Sequence, residues 1–211
     1  MKLKVIALSA AVALILLVAI FIALMRGPDL SQYRNLIEPR FTEMPSQKMI
    51  EVESSGDPNV VAGKALGLLF KTYFSIRGGP KGSHQPAPRA RWSKALDSPK
   101  SQWVGRYGIP VPNEVTTLPP VKSGEGLTPE LVTWEYGPVA EILHVGPYTA
   151  EAPTISRLKK FIVESGFEVI GEHEEEYLKG PGMFFKGNPE KYYTIIRYRI
   201  RRSAAQGASP E

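Results

Sequence analysis

The chain has 211 residues, 43% of them hydrophobic and 22% charged, a balance that excludes wholesale disorder. It contains no cysteine, which removes thiol catalysis, thiolate metal ligation and disulfides. The net charge of +5 is spread along the chain and is too diffuse for a nucleic-acid-binding footprint.

The first predicted element is a membrane anchor over residues 1–26. From Val5 to Met25 the only polar side chain is Ser9, and 21 helical residues at about 1.5 Å each span a hydrocarbon core of about 30 Å. The run is longer than a signal-peptide core and lacks a small-x-small cleavage site, so an uncleaved single-pass anchor is expected. Lys2, Lys4 and the amino terminus outweigh Arg26 close to the span, which puts the N-terminus in the cytoplasm and the domain outside. Residues 27–45, with prolines, mixed charges and little periodicity, read as a tether.

Residues 46–201 read as one α+β domain built on a repeated plan. "QKMIEVESSGDPNVVAGKALGLLFKTYFS" gives a strand, a turn at Gly56, and a helix capped by Asp57 and opened by Pro58. "GPVAEILHVGPYTAEAPTISRLKKFIVESG" gives a strand, a turn at Gly146, Pro147 and Tyr148, and a helix stopped at Gly166. A shift of 90 residues places Gly56 on Gly146, Ala65 on Ile155 and Leu68 on Leu158. Strand-like stretches follow each helix: "SQWVGRYGIPV" and "LVTWEYG" after the first, "FEVIGEHEEEYL" and "KYYTIIRYRIR" after the second. The expected architecture is a duplicated β-α-β-β module, with an antiparallel sheet, helices on one face and a groove where the halves meet. The Gly/Pro-rich stretch 76–96, carrying Arg77, Lys81, Arg89, Arg91 and Lys94, reads as a solvated loop or as a contact for anionic head groups. Residues 202–211 read as a disordered tail.

"EYGPVAEILHVGPY", "ESGFEVIGEHEEEYL" and "NPEKYYTIIRYRI" together resemble the GyrI-like small-molecule-binding domain, a member of the superfamily that includes SOUL domains. The matching stretch runs from about Thr128 to Arg201. The resemblance implies a groove lined by aromatic side chains, in which flat or cationic organic molecules bind. Family members often carry an acid on the last strand, where this chain has Ile195, with Arg199 in place of a proline. A floor that is apolar at Ile195 favours neutral aromatic or amphipathic ligands, unless Glu176, beside Tyr177, supplies the charge. The candidate ligand-binding residues are thus Trp103, Tyr107, Trp134, Tyr148, Glu176, Tyr177, Tyr193 and Ile195, with strand alternation turning about half of them inward.

No catalytic residue, metal or cofactor is expected. Some superfamily members hydrolyse reactive small molecules with a tyrosine and a glutamate, but the expected acid is replaced here. Ser156 and Lys159 match Ser-x-x-Lys without the accompanying motifs. His144 and His173 lack partners at ligand spacing, and adjacent side chains of "HEEE" point to opposite faces of a strand. The functional expectation is a membrane-anchored, non-catalytic binding module with no DNA-binding helix pair. The alternatives are an adaptor with a vestigial groove, a hydrolase or a haem binder.

Overall fold

The structure is a computed structural model that describes residues 31–93, 98–124, 126–181 and 187–204. The expected anchor at 1–26, Lys94 and most of the expected tail lie outside those residues. Among the described residues no helix is long and apolar enough to cross a membrane.

The domain is α+β, with nine strands and two α-helices among the described residues. The strands are β1 (Arg40–Met44), β2 (Gln47–Ser55), β3 (Arg89–Ser93), β4 (Val104–Pro110), β5 (Pro129–Trp134), β6 (Gly137–Val145), β7 (Phe167–Val169), β8 (His173–Lys179) and β9 (Tyr193–Arg202). The helices are α1 (Pro58–Ser75) and α2 (Ala152–Glu164). The sheet runs β1-β6-β9-β8-β3-β4-β2-β5, antiparallel at every junction, and β7 pairs with the end of β9. The 90-residue repeat is visible in the strands, since it carries Gln47 onto Gly137 and Ser55 onto Val145, the two ends of β2 and β6. The halves meet at the centre through β3 and β8. At the edges they exchange strands: β1, from the first half, pairs with β6, and β5 pairs with β2. Strand β5 is expected from sequence to close the first unit, but the 90-residue shift relates it to β1 and makes it the opening strand of the second.

Local chemistry accounts for the helices. The Asp57 carboxylate accepts from the Asn59 N–H, Pro58 opens α1, and Ala65, Leu68, Leu69, Thr72 and Tyr73 recur every three or four residues on its buried face. Helix α2 buries Ile155, Leu158 and Ile162 and ends before Gly166, whose φ of +80° suits a residue without Cβ. Each helix covers its own half of the sheet. One core joins α1 to Ile50, Val52, Tyr107 and Ile109, and the other joins α2 to Ala140, Ile142, Ile196 and Ile200. The groove expected between the helices falls over β3 and β8, the central strands.

Two expectations are corrected here. The segment read as a tether is folded from Ser31 onward, with a 3-10 helix at Ser31–Leu36 and then β1 at the sheet edge. Leu36 is buried against Leu143 and Ile195, which is why a stretch without α or β periodicity is ordered. The 76–96 stretch is also not a loop throughout, because Arg89–Ser93 is the central strand β3. Arg89 and Arg91 are paired with Glu176 and Glu174 and are not offered to head groups.

The sheet face away from the helices carries charge. Arg197, only 4% exposed, donates to Glu174 Oε1 (2.7 Å), Glu141 Oε2 (2.9 Å) and Glu176 Oε2 (3.1 Å). Arg40 extends the ladder through Glu141 and Arg91 extends it through Glu174. Burial raises the Glu174 carboxyl, but Arg197, Arg91 and Arg89 outweigh it and hold the group below the usual carboxylate range.

Candidate functional site

Strand register decides which side chains meet in the groove. Ala90 lies opposite Tyr107 on β4 and Glu175 on β8, and Trp92 lies opposite His173. Across the next junction Glu175 faces Ile196 and Tyr177 faces Thr194. With a two-residue period, His173, Glu175 and Tyr177 therefore share the helix-covered face with Trp92, Tyr107, Thr194 and Tyr198. The small, fully buried Ala90 lies directly opposite Glu175 at the centre of the sheet.

Glu175 is held from two sides. Tyr177 Oη donates to Oε2 at 2.6 Å, and His173 Nε2 lies 2.8 Å from Oε1. A carboxylate only accepts, so Nε2 carries a proton, and His173 Nδ1 shares a hydrogen bond with the Tyr198 hydroxyl at 2.8 Å. Burial pushes Glu175 upward, but the hydrogen bonds and charge of its partners outweigh that and hold it low. Glu151, the residue before α2, faces the same point. Burial, followed by the neighbouring Glu175 charge, pushes its carboxyl up to about 9. At neutral pH the pair is one carboxylate and one carboxylic acid. Burial and the Glu175 charge also raise the Tyr177 and Tyr148 hydroxyls, which stay protonated donors.

The rim comes from the turn "HVGPY". Gly146, at φ +140°, turns the chain and donates its N–H to the Tyr192 carbonyl. His144 Nε2 is 3.2 Å from the Pro147 carbonyl and must donate to it, leaving Nδ1 to accept from Thr154 Oγ1 at 3.0 Å. His144 thus ties the turn to the start of α2 and is structural. Tyr148 is 38% exposed and packs edge-on to Tyr177, with ring centroids 5.6 Å apart, and against Tyr192 at 5.4 Å.

Of the eight sequence-expected residues, Trp103, Tyr107, Tyr148 and Tyr177 lie on the groove side. The other four lie on the opposite face. Trp134 donates to Glu51 and stacks under Arg91, Tyr193 and Ile195 pack with Leu36, and Glu176 pairs with Arg89 and Arg197. Glu176 and Ile195 are register partners, so one parity assignment sends both away from the groove. The acid of the groove is Glu175, one residue earlier. Sequence reading missed it together with Glu151, His173, Thr194 and Tyr198. The signal was present for two of them, because His173 and Glu175 alternate with Tyr177.

Two cavities of about 360 Å³ each occur on the opposite face, one beside Tyr33 and Arg40, the other beside Arg106 and Tyr136. The charged side chains of the first are matched in the ion-pair ladder, and in the second Arg106 pairs with Glu172 while Arg199 donates to the Tyr136 carbonyl. The groove differs, since Tyr107 Oη is buried there without a hydrogen-bond partner, while Thr194 Oγ1 and Trp92 Nε1 turn toward the Glu151 and Glu175 carboxyls. An unmatched polar group of that kind is costly unless something occupies the site.

The fold is shared with solved structures. A hydrolase from Listeria innocua superposes with a TM-score of 0.63 at 19% identity, covering 83% of this chain and 100% of that one. An uncharacterized conserved protein from Listeria innocua gives 0.65 at 21%, with the same coverage. The C-terminal domain of EcmrR gives 0.55 at 12%, covering 78% of this chain and 98% of that domain. At these identities the likenesses show a shared fold. Neither a protein-family model nor a curated protein sequence matches the chain.

Proposed function

We propose that this is a membrane-anchored small-molecule-binding protein, with the ligand seated in the groove between α1 and α2. The observation that carries the reading is a buried, ionised Glu175 beneath Tyr148, Tyr177 and Tyr107. Aromatic faces give contact area at low entropic cost, and a carboxylate at their base selects a positive or hydrogen-bond-donating end. This revises the neutral-ligand expectation drawn from Ile195, which lies on the other face. Tyr148 is the rim side chain a ligand must move aside.

The test compares a cationic aromatic dye with a neutral dye of similar shape by fluorescence titration. The cation binds better to the wild type, and Glu175→Gln removes about 1.5–3 kcal/mol of that preference, or roughly 10- to 150-fold. Glu176→Gln leaves it unchanged. Equal affinity of the wild type and Glu175→Gln for the cation would remove the basis of the reading.

A second reading is hydrolysis, favoured by the acid–carboxylate pair of Glu151 and Glu175 and by the hydrolase among the fold's neighbours. It requires turnover of a reactive ester or strained-ring compound that is abolished by Glu175→Gln. Binding without turnover leaves the first reading standing.

A further inference from the structure

We infer that Glu151, His173 and Glu175 form a binding site for one divalent transition-metal ion at the floor of the groove. One ligand atom from each residue lies within 4.8 Å of the other two. An ion with bonds of about 2.0–2.2 Å holds tetrahedral donors about 3.4 Å apart, inside that span. One imidazole and two carboxylates, with no thiolate, suit zinc, cobalt(II) or manganese(II).

The surroundings point to an occupant independently of the acids. Thr194 Oγ1 is fully buried and turned toward the Glu151 carboxyl, and Trp92 Nε1 is buried and turned toward Glu175. Tyr107 Oη, on the same face, is a buried hydroxyl without a hydrogen-bond partner. A water or ligand oxygen on the ion would give that hydroxyl an acceptor. The outer contacts are those of a metal site. Tyr198 meets His173 Nδ1 at 2.8 Å, and Tyr177 meets the Glu175 oxygen turned away from His173. Binding at Nε2 leaves the imidazole proton on Nδ1, which donates to Tyr198 Oη. The Glu151 proton leaves to solvent, and no redox change is involved. The ion's open position faces the groove, so the site takes a small molecule bearing an oxygen or nitrogen donor. The inference rests on the groove reading but is separable from it, because dye selection is read on the metal-free protein, in which Glu175 is unligated, and metal binding is read without the dye.

The full chain, purified in detergent and stripped with a chelator, is titrated with Co²⁺ by visible absorption and with Zn²⁺ by calorimetry. One equivalent of each binds, Co²⁺ with the visible bands of a low-coordinate site. Glu151→Gln and His173→Gln weaken binding more than about a hundredfold, and Tyr198→Phe weakens it about tenfold or more. Far-ultraviolet circular dichroism and a cooperative melt matching those of the wild type show that each variant is folded. Absence of one-equivalent binding, or binding equally tight in both ligand variants, overturns the metal site. If dye binding still depends on Glu175 in that event, the groove reading survives. If dye binding is lost as well, both fall.

Discussion

Replacing Arg197 with Met tests the charge ladder on the sheet's far face. The guanidinium is 4% exposed and makes hydrogen bonds to Glu141, Glu174 and Glu176. Methionine approximates its length but leaves three carboxylates facing Arg40, Arg89 and Arg91 with their central cation gone. Breaking a buried pair in this way costs about 3–5 kcal/mol, because the stranded charge keeps its desolvation penalty. For a domain of this size that lowers Tm by about 6–20 °C. The pH dependence follows from Glu174. Its folded pKa is depressed, so its contribution is present above the unfolded value of about 4.5 and is lost as pH falls through the lower folded value. Arg197→Met shrinks that depression. Its deficit is therefore full at pH 7 and smaller at pH 4, where the stranded carboxyls take up protons. Guanidinium unfolding followed by the fluorescence of Trp92, Trp103 and Trp134 measures both values, and Glu174→Gln in the Arg197→Met background should recover part of the loss. A deficit below about 1 kcal/mol at pH 7, or one equal at both pH values, would refute this account.

Gly105→Ala tests the packing under the groove: its Cβ would come 2.6 Å from Trp92 Cζ3 and 3.1 Å from the Tyr107 ring, so a loss of about 1–3 kcal/mol is expected in the same unfolding assay. The apolar run 5–25 predicts that the protein stays with membranes through a carbonate wash and keeps its N-terminus; a mature soluble form beginning near residue 27 contradicts the anchor.

The duplication was legible because turn chemistry punctuates it, with Gly56 and Gly146 ending equivalent strands. The helices were legible for the same reason, each having a defined opening and an apolar stripe. The two faces of the sheet were harder to separate. "RARWS" and "HEEEYL" alternate, but both of their faces are buried, one among apolar groups and the other among matched charges. Burial of charge on a sheet face imitates solvent exposure in sequence. That is why β3 reads as a basic loop and why Glu176 cannot be told from Glu175 without a register. Glu151 carries no local signal, since only the fold brings the start of α2 over β8.

The exchange of β1 and β5 between the halves has a consequence for how this domain holds together. Each repeat supplies the outermost strand of the other, so neither owns a finished sheet. A half expressed alone would leave β2 or β6 with an open edge and its apolar face incomplete, and two such halves would have to clasp one another to be stable. The single chain has that clasp built in. The two helices that border the groove are thereby fastened to one continuous body and cannot hinge apart as independent lobes, so a ligand is admitted by side chains at the rim, with the frame around them held still.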